Sequence, residues 1–207
     1  MADSTNEVIN DVIQTKPLRA TEGFVNVSNN ALNAATIGDY WQWAYSDIIG
    51  NTDRGALAEF IVARALGTTA QVRNGWAPYD LETPTGIRVE VKSSAYLQSW
   101  FQKRPSSPGF GIRKTLAWDP TTNEYDREKR RHADVYVFCL LAHQEDKATL
   151  NPLDLSQWEF YVVATSEIDR VFGQRGGASI SQIRDLSPAY VVDEIAVAVE
   201  AAGDVHT

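Results

Sequence analysis

Cysteine is nearly absent: the 207-residue chain has one. That excludes an internal disulfide framework and a zinc site built on cysteines. The single Cys139 lies in the run Val-Tyr-Val-Phe-Cys-Leu-Leu, where a buried, inert thiol is expected. Long hydrophobic stretches are also missing. No apolar run approaches the roughly 18 residues of a membrane span, and the polar N-terminus has no signal-peptide core. A cytoplasmic protein with no membrane contact is the expectation. An excess of positive charge is lacking as well. The net charge of −8 argues against a general nucleic-acid coat protein. What the chain does have is a 43% apolar fraction, enough for a substantial core.

The charge is uneven. Between Lys103 and His132 there are eight Lys and Arg (Lys103, Arg104, Arg113, Lys114, Arg127, Lys129, Arg130, Arg131) against four acids, so the window carries +4 and the remainder −12. A basic patch of this kind can hold phosphates while the bulk stays acidic and soluble. A solvated loop of mixed charge has the same composition.

Residues 1 to about 20 read as a polar arm or loose helix. An aromatic helix is expected over Thr36–Ile49, stopped by Gly50-Asn51. Asp53 is read as the N-cap of a second helix running to Leu66, with Gly67 as its stop. Gly55 on its apolar stripe would permit a close approach to a sheet. Strands are predicted at about 69–74, 76–82 and 86–95, with Thr83-Pro84-Thr85-Gly86 as a hairpin turn. Residues 101–132 form a long excursion, either functional or disordered. Strands at Asp134–Leu141 and Trp158–Thr165 follow. A short helix capped by Ser166 is expected to run to Phe172, and a final helix over Val191–Ala202. The division expected is an N-terminal arm and aromatic helix over residues 1–50 and a larger unit over 51–207. The order implies an α/β or α+β arrangement around a mixed sheet.

The densest chemistry is in Asp80-Leu-Glu-Thr-Pro-Thr-Gly-Ile-Arg-Val-Glu90-Val-Lys92. Strand side chains alternate faces, so Arg88, Glu90 and Lys92 share one and Val89 and Val91 the other. A five-residue loop from Glu82 to Gly86 would set Leu81 opposite Ile87 and Asp80 opposite Arg88. Asp80 would then share the Glu90 face, within reach of one ion. A four-residue loop would turn it away. Two carboxylates suit a hard divalent cation such as Mg²⁺. A lysine beside them can position water and offset developing charge. Glu59 sits at the edge of the second helix's apolar stripe, with no basic partner at Gly55 or Ala63 to explain it.

Glu59 on a helix, Asp80 before a turn and Glu90-Val91-Lys92 on a strand, in that order, resemble the PD-(D/E)xK nuclease superfamily over roughly residues 53–165. The departure is that Asp80 follows Tyr79, so the family's Pro-Asp pair is not present. The resemblance implies a restriction-endonuclease-like αβββαβ core, a central mixed sheet flanked by helices, here with an N-terminal helical extension. It implies a metal-dependent endodeoxyribonuclease using Mg²⁺, with Mn²⁺ as a substitute. Asp80, Glu90 and the Val91 carbonyl would be metal ligands, Lys92 the catalytic lysine and Glu59 an accessory acid. DNA would be contacted by Lys103, Arg104, Arg113, Lys114, Arg130 and Arg131. His132 is read as structural or as acting near the metal. Cutting a duplex would favour a homodimer, for which the aromatic helix (Tyr40, Trp41, Trp43, Tyr45) is a candidate interface. A non-catalytic DNA-binding or interaction module on the same fold, and a nuclease acting on RNA or branched DNA, are the alternatives.

Overall fold

Alternation and continuous apolar runs build the central sheet. A computed structural model describes residues 15–25, 28, 31–69 and 72–204. Its first elements are β1 (Gly23–Val25), β2 (Ala31–Thr36), α1 (Ile37–Tyr45) and α2 (Asn51–Ala65). The strands β3 (Leu81–Glu82), β4 (Arg88–Ala95), β5 (Gly109–Gly111), β6 (Trp118–Asp119), β7 (Glu124–Tyr125), β8 (Val135–Leu141) and β9 (Trp158–Ala164) follow. The chain continues through α3 (Thr165–Phe172), β10 (Gly177–Ser179), α4 (Ile180–Arg184) and α5 (Ile195–Gly203). The main sheet has the order β3-β4-β8-β9. β4 and β8 are parallel, and β3 and β9 are antiparallel to their neighbours. Every residue of β8 is buried, as a strand covered on both faces requires.

The two faces have separate cores. On one, Val89, Val91, Val137 and Cys139 pack with Ala58 and Val62 of α2 and with Ile195 and Val199 of α5. On the other, Tyr136, Phe138 and Leu140 pack with Phe110 and Ile112, Ile168 and Phe172 of α3, and Ile183 of α4. The architecture is therefore α/β, a mixed sheet flanked by helices, as the sequence implied. The Cys139 thiol is free and fully buried, and burial pushes its pKa far up. No helix among the described residues is long and apolar enough to cross a membrane.

Several boundaries differ from the sequence reading. α2 starts at Asn51 with Gly50 as N-cap, and Asp53 lies in its first turn. Asp47 accepts from the Gly50 N–H through its carbonyl (2.9 Å) and its Oδ1 (3.1 Å), and the helix starts three residues earlier than read. Gly55 packs against nothing within 4 Å of a built Cβ, so close approach is not its role. α1 ends at Tyr45 rather than Ile49. Residues 72–80 form turns rather than strands, with Asn74 Oδ1 accepting from the Trp76 N–H (3.0 Å). Residues 70–71 and the first fourteen residues of the expected arm lie outside the described residues. α3 begins at Thr165 with Ala164, rather than Ser166, in the N-cap position and so has no side-chain cap, while the Thr165 hydroxyl donates to the Ala133 carbonyl (2.7 Å). The last helix is shorter than read, beginning at Ile195 after a 3₁₀ turn over Val192–Glu194. The excursion has structure of its own. β5 pairs with β10, β6 with β7, and Thr115 bridges Arg130.

Candidate active site

The β3–β4 hairpin sets the first acid. Thr83 closes the turn, its N–H donating to the Ile87 carbonyl (2.9 Å) and its Oγ1 accepting from the Ile87 N–H (3.0 Å). Gly86 adopts φ +89°, which a side chain would resist. Leu81 pairs with Val89 and Glu82 with Arg88. The loop is thus Thr83–Ile87, one residue later than the expected Glu82–Gly86. It remains five residues long, so parity is kept. Asp80 lies just outside the paired residues, its N–H donating to the Val89 carbonyl (3.1 Å), and the Glu90 carboxylate is near enough for its charge to act on it. Asp80 Oδ2 accepts from the Val91 N–H at 2.7 Å.

Along the same face of β4, Arg88 is locked to Asp134, with Nε–Oδ2 at 2.9 Å. Glu90 stands beside Tyr136 of β8 and is ion-paired with Lys92. Above them the excursion closes an open cleft of about 250 Å³. Glu90, Lys92, Tyr136, Arg113, Arg131 and His132 line it, with Pro78, Gly111 and Thr115. Glu59 on α2 forms a two-pronged ion pair with Arg73, Nη2–Oε1 being 2.7 Å.

The electrostatics of this pocket are unbalanced at Asp80. Desolvation first, then the Glu90 carboxylate, push its pKa from the ordinary 3.8 to about 7, against the opposing Val91 N–H. Glu59 adds to the rise. Burial, with Glu90's charge behind it, likewise holds the Tyr136 hydroxyl far above its usual range, so it stays protonated. A group that binds its proton more tightly in the fold contributes stability present below its unfolded pKa and lost as pH rises through the folded value. Asp80→Asn keeps an oxygen for the Val91 N–H and cannot ionise. It is expected to stabilise the metal-free protein by about 2 kcal/mol at pH 8, a discounted share of the ~1.4 kcal/mol per pK unit, and by nothing near pH 4. Urea titrations at the two pH values read this directly, and an equal response at both would refute it.

Hard oxygen donors are what the pocket offers to a cation. Asp80 and Glu90 are neighbouring carboxylates whose mutual repulsion a divalent ion would relieve. Among the described residues no group of three or more His, Cys, Asp or Glu converges. This donor set fits Mg²⁺, which is held by one or two carboxylates and retains waters.

Residues 27–182 match the protein family described as bacteriophage T4 endonuclease IV. The chain belongs to that endonuclease family. No characterised protein and no solved structure shows a significant match. The endonuclease IV match spans α2, the hairpin, β4, the excursion, β8 and β9, and so contains the whole cleft.

The basic residues separate once partners are assigned. Arg113 is exposed at the cleft and, among the described residues, has no ion pair. It lies over Gly176, where a Cβ would come within 2.8 Å of its side chain. Lys114 pairs with Asp169 (3.0 Å) and Arg130 with Asp126 (3.4 Å). Arg131 is buried, donating to the carbonyls of Ile112 (2.9 Å), Gly173 (3.1 Å) and Arg175 (3.3 Å) and pairing with Asp169. Lys103 and Arg104 are exposed on the loop after β4 and do not line the cleft. His132 is buried, with Nε2 at 2.8 Å from the Thr115 carbonyl oxygen.

Three residues of the site were not found from the sequence. Tyr136 was hidden in an apolar run. Its only signal was a hydroxyl-bearing residue in a strand that could align with Glu90. Arg73 had no periodic signal. Arg54 is buried at the start of α2, donating to Asn51 Oδ1 (2.6 Å), the Ile49 carbonyl (2.8 Å), Gln98 Oε1 (3.3 Å) and Ser93 Oγ (3.3 Å). It ties the helix that carries Glu59 to the strand that carries Glu90.

Proposed function

We propose that this chain is a metal-dependent endodeoxyribonuclease of the PD-(D/E)xK type. The observation that carries the reading is the Asp80 carboxylate against β4, its Oδ2 accepting from the Val91 N–H, next to a cleft where Glu90 and Lys92 share one strand face among cationic side chains. A Mg²⁺ ion, or Mn²⁺ in its place, held by Asp80, Glu90 and the Val91 carbonyl would supply an acidified water and offset charge on the phosphate. Asp80 must give up its proton to take part, which its pKa near 7 makes easier as pH rises. Lys92 leaves Glu90 to hold the attacking water and to meet the negative charge that grows on the phosphate oxygens. The protonated Tyr136 hydroxyl can donate to the same oxygens. Arg113 at the rim holds a flanking phosphate, with Lys103 and Arg104 available further along the backbone.

The test is cleavage of supercoiled and linear DNA with Mg²⁺ or Mn²⁺ and with EDTA. Cleavage is expected only with the divalent ion, and Asp80→Ala and Glu90→Ala are each expected to abolish it. Cleavage in EDTA, or by both variants, would remove the reading. Binding without cleavage would point instead to the non-catalytic module. RNA and branched DNA run alongside would reveal a different substrate.

A further inference from the structure

Arg73 is a cation paired with Glu59 that the strand motif does not account for. It lies fourteen residues after Glu59, in the turns that lead from α2 to β3. It grips both oxygens of Glu59, Nε on Oε2 and Nη2 on Oε1 (2.7 Å). The Glu59 side chain is 13% exposed and that of Arg73 56%. The carboxylate is thus enclosed and the guanidinium covers it from solvent. Glu59 stands near enough to Asp80 for its charge to act there, and the charge of Asp80 acts in turn on Arg73.

A guanidinium bound two-pronged takes up the in-plane lone pairs that a cation or its waters would use. It also places a positive charge where a divalent ion would meet repulsion. An ion pair with one exposed partner is weakly held, and Arg73 sits outside any helix or strand, between α2 and β3. We propose that Arg73 is a counter-ion latch: it holds Glu59 in the metal-free protein and must release it when the divalent cation enters. Arg73 is then a positioning residue, acting through Glu59. This rests on the metal-site reading above.

The experiment is calorimetric titration of the DNA-free protein with Mn²⁺, comparing the parent with Arg73→Gln, Arg73→Lys, Glu59→Gln and the Glu59→Gln/Arg73→Gln double variant. Arg73→Gln is expected to bind Mn²⁺ about fivefold more tightly, the size of a weak ion pair removed from competition. Arg73→Lys, which keeps the charge but cannot bridge both oxygens, is expected to fall between. In the Glu59→Gln background the Arg73 change is expected to do nothing, whereas simple long-range repulsion would persist there. A gain in affinity cannot come from an unfolded variant. Unchanged or weaker binding by Arg73→Gln overturns the latch, as does an equal gain in the Glu59→Gln background. Asp80→Asn and Glu90→Gln in the same titration separate the two ideas. If they leave Mn²⁺ binding intact, the metal site itself is misplaced. If they abolish it while Arg73→Gln changes nothing, only the latch fails.

Discussion

Lys92→Ala is expected to lower the single-turnover cleavage rate about 10³-fold while leaving the protein folded. Removing one preorganised charge that meets a developing anion costs roughly 10²–10³ in rate. The further loss of an oriented water extends this toward the upper end. The structural cost is small. Lys92 projects into the cleft from β4, and its ion pair with Glu90 has both side chains partly exposed, at 32% and 19%. A pair of that kind contributes no more than about 1 kcal/mol. Lys92→Arg keeps the charge in a broader head and should recover only part of the rate. Plasmid relaxation under single-turnover conditions, with thermal melts of each variant, measures both sides. A rate within tenfold of the parent would exclude Lys92 from the chemistry.

Arg131→Ala is expected to act in the opposite way, destabilising the protein by about 3 kcal/mol, the loss that follows breaking a buried, multiply bonded charge. The side chain is wholly buried. Its removal leaves Asp169 with Lys114 alone, and strands three carbonyls at Ile112, Gly173 and Arg175. These join the excursion to the end of α3, so the cleft roof should loosen with it. Urea denaturation gives the stability. DNA binding measured on the folded fraction should then be close to that of the parent. Undiminished stability with weakened DNA binding would return Arg131 to the phosphate-contacting surface.

The contrast between Lys92 and Arg131 shows what kind of information each carried. Lys92 was legible because Glu90-Val91-Lys92 sits in an extended run, and an extended backbone alternates its side chains whatever surrounds it. The same logic led to the expectation that Asp80 shares the Glu90 face. The turn closed at Thr83 rather than Glu82, keeping five residues but setting Glu82 rather than Asp80 opposite Arg88. The basic cluster carried no such local rule. Lys114, Arg130 and Arg131 look alike as sequence, yet Asp169 and Asp126 engage them. Asp169 lies 38 residues from Arg131. Glu59 was read as lacking an ionic partner because only helical neighbours were in view, and Arg73 reaches it from beyond the helix.

The sequence by itself determined the α/β class, the strand that bears Glu90 and Lys92, the face those two share and the burial of Cys139. Each follows from the short-range geometry of an extended or helical backbone and from the apolar content of one segment. Tertiary structure alone decided the hairpin register, the folding of the excursion over the sheet, the alignment of Tyr136 with Glu90, and which cations remain for a phosphate. Those depend on pairings between distant segments, where one carboxylate's position decides whether an arginine is a surface charge or part of the core.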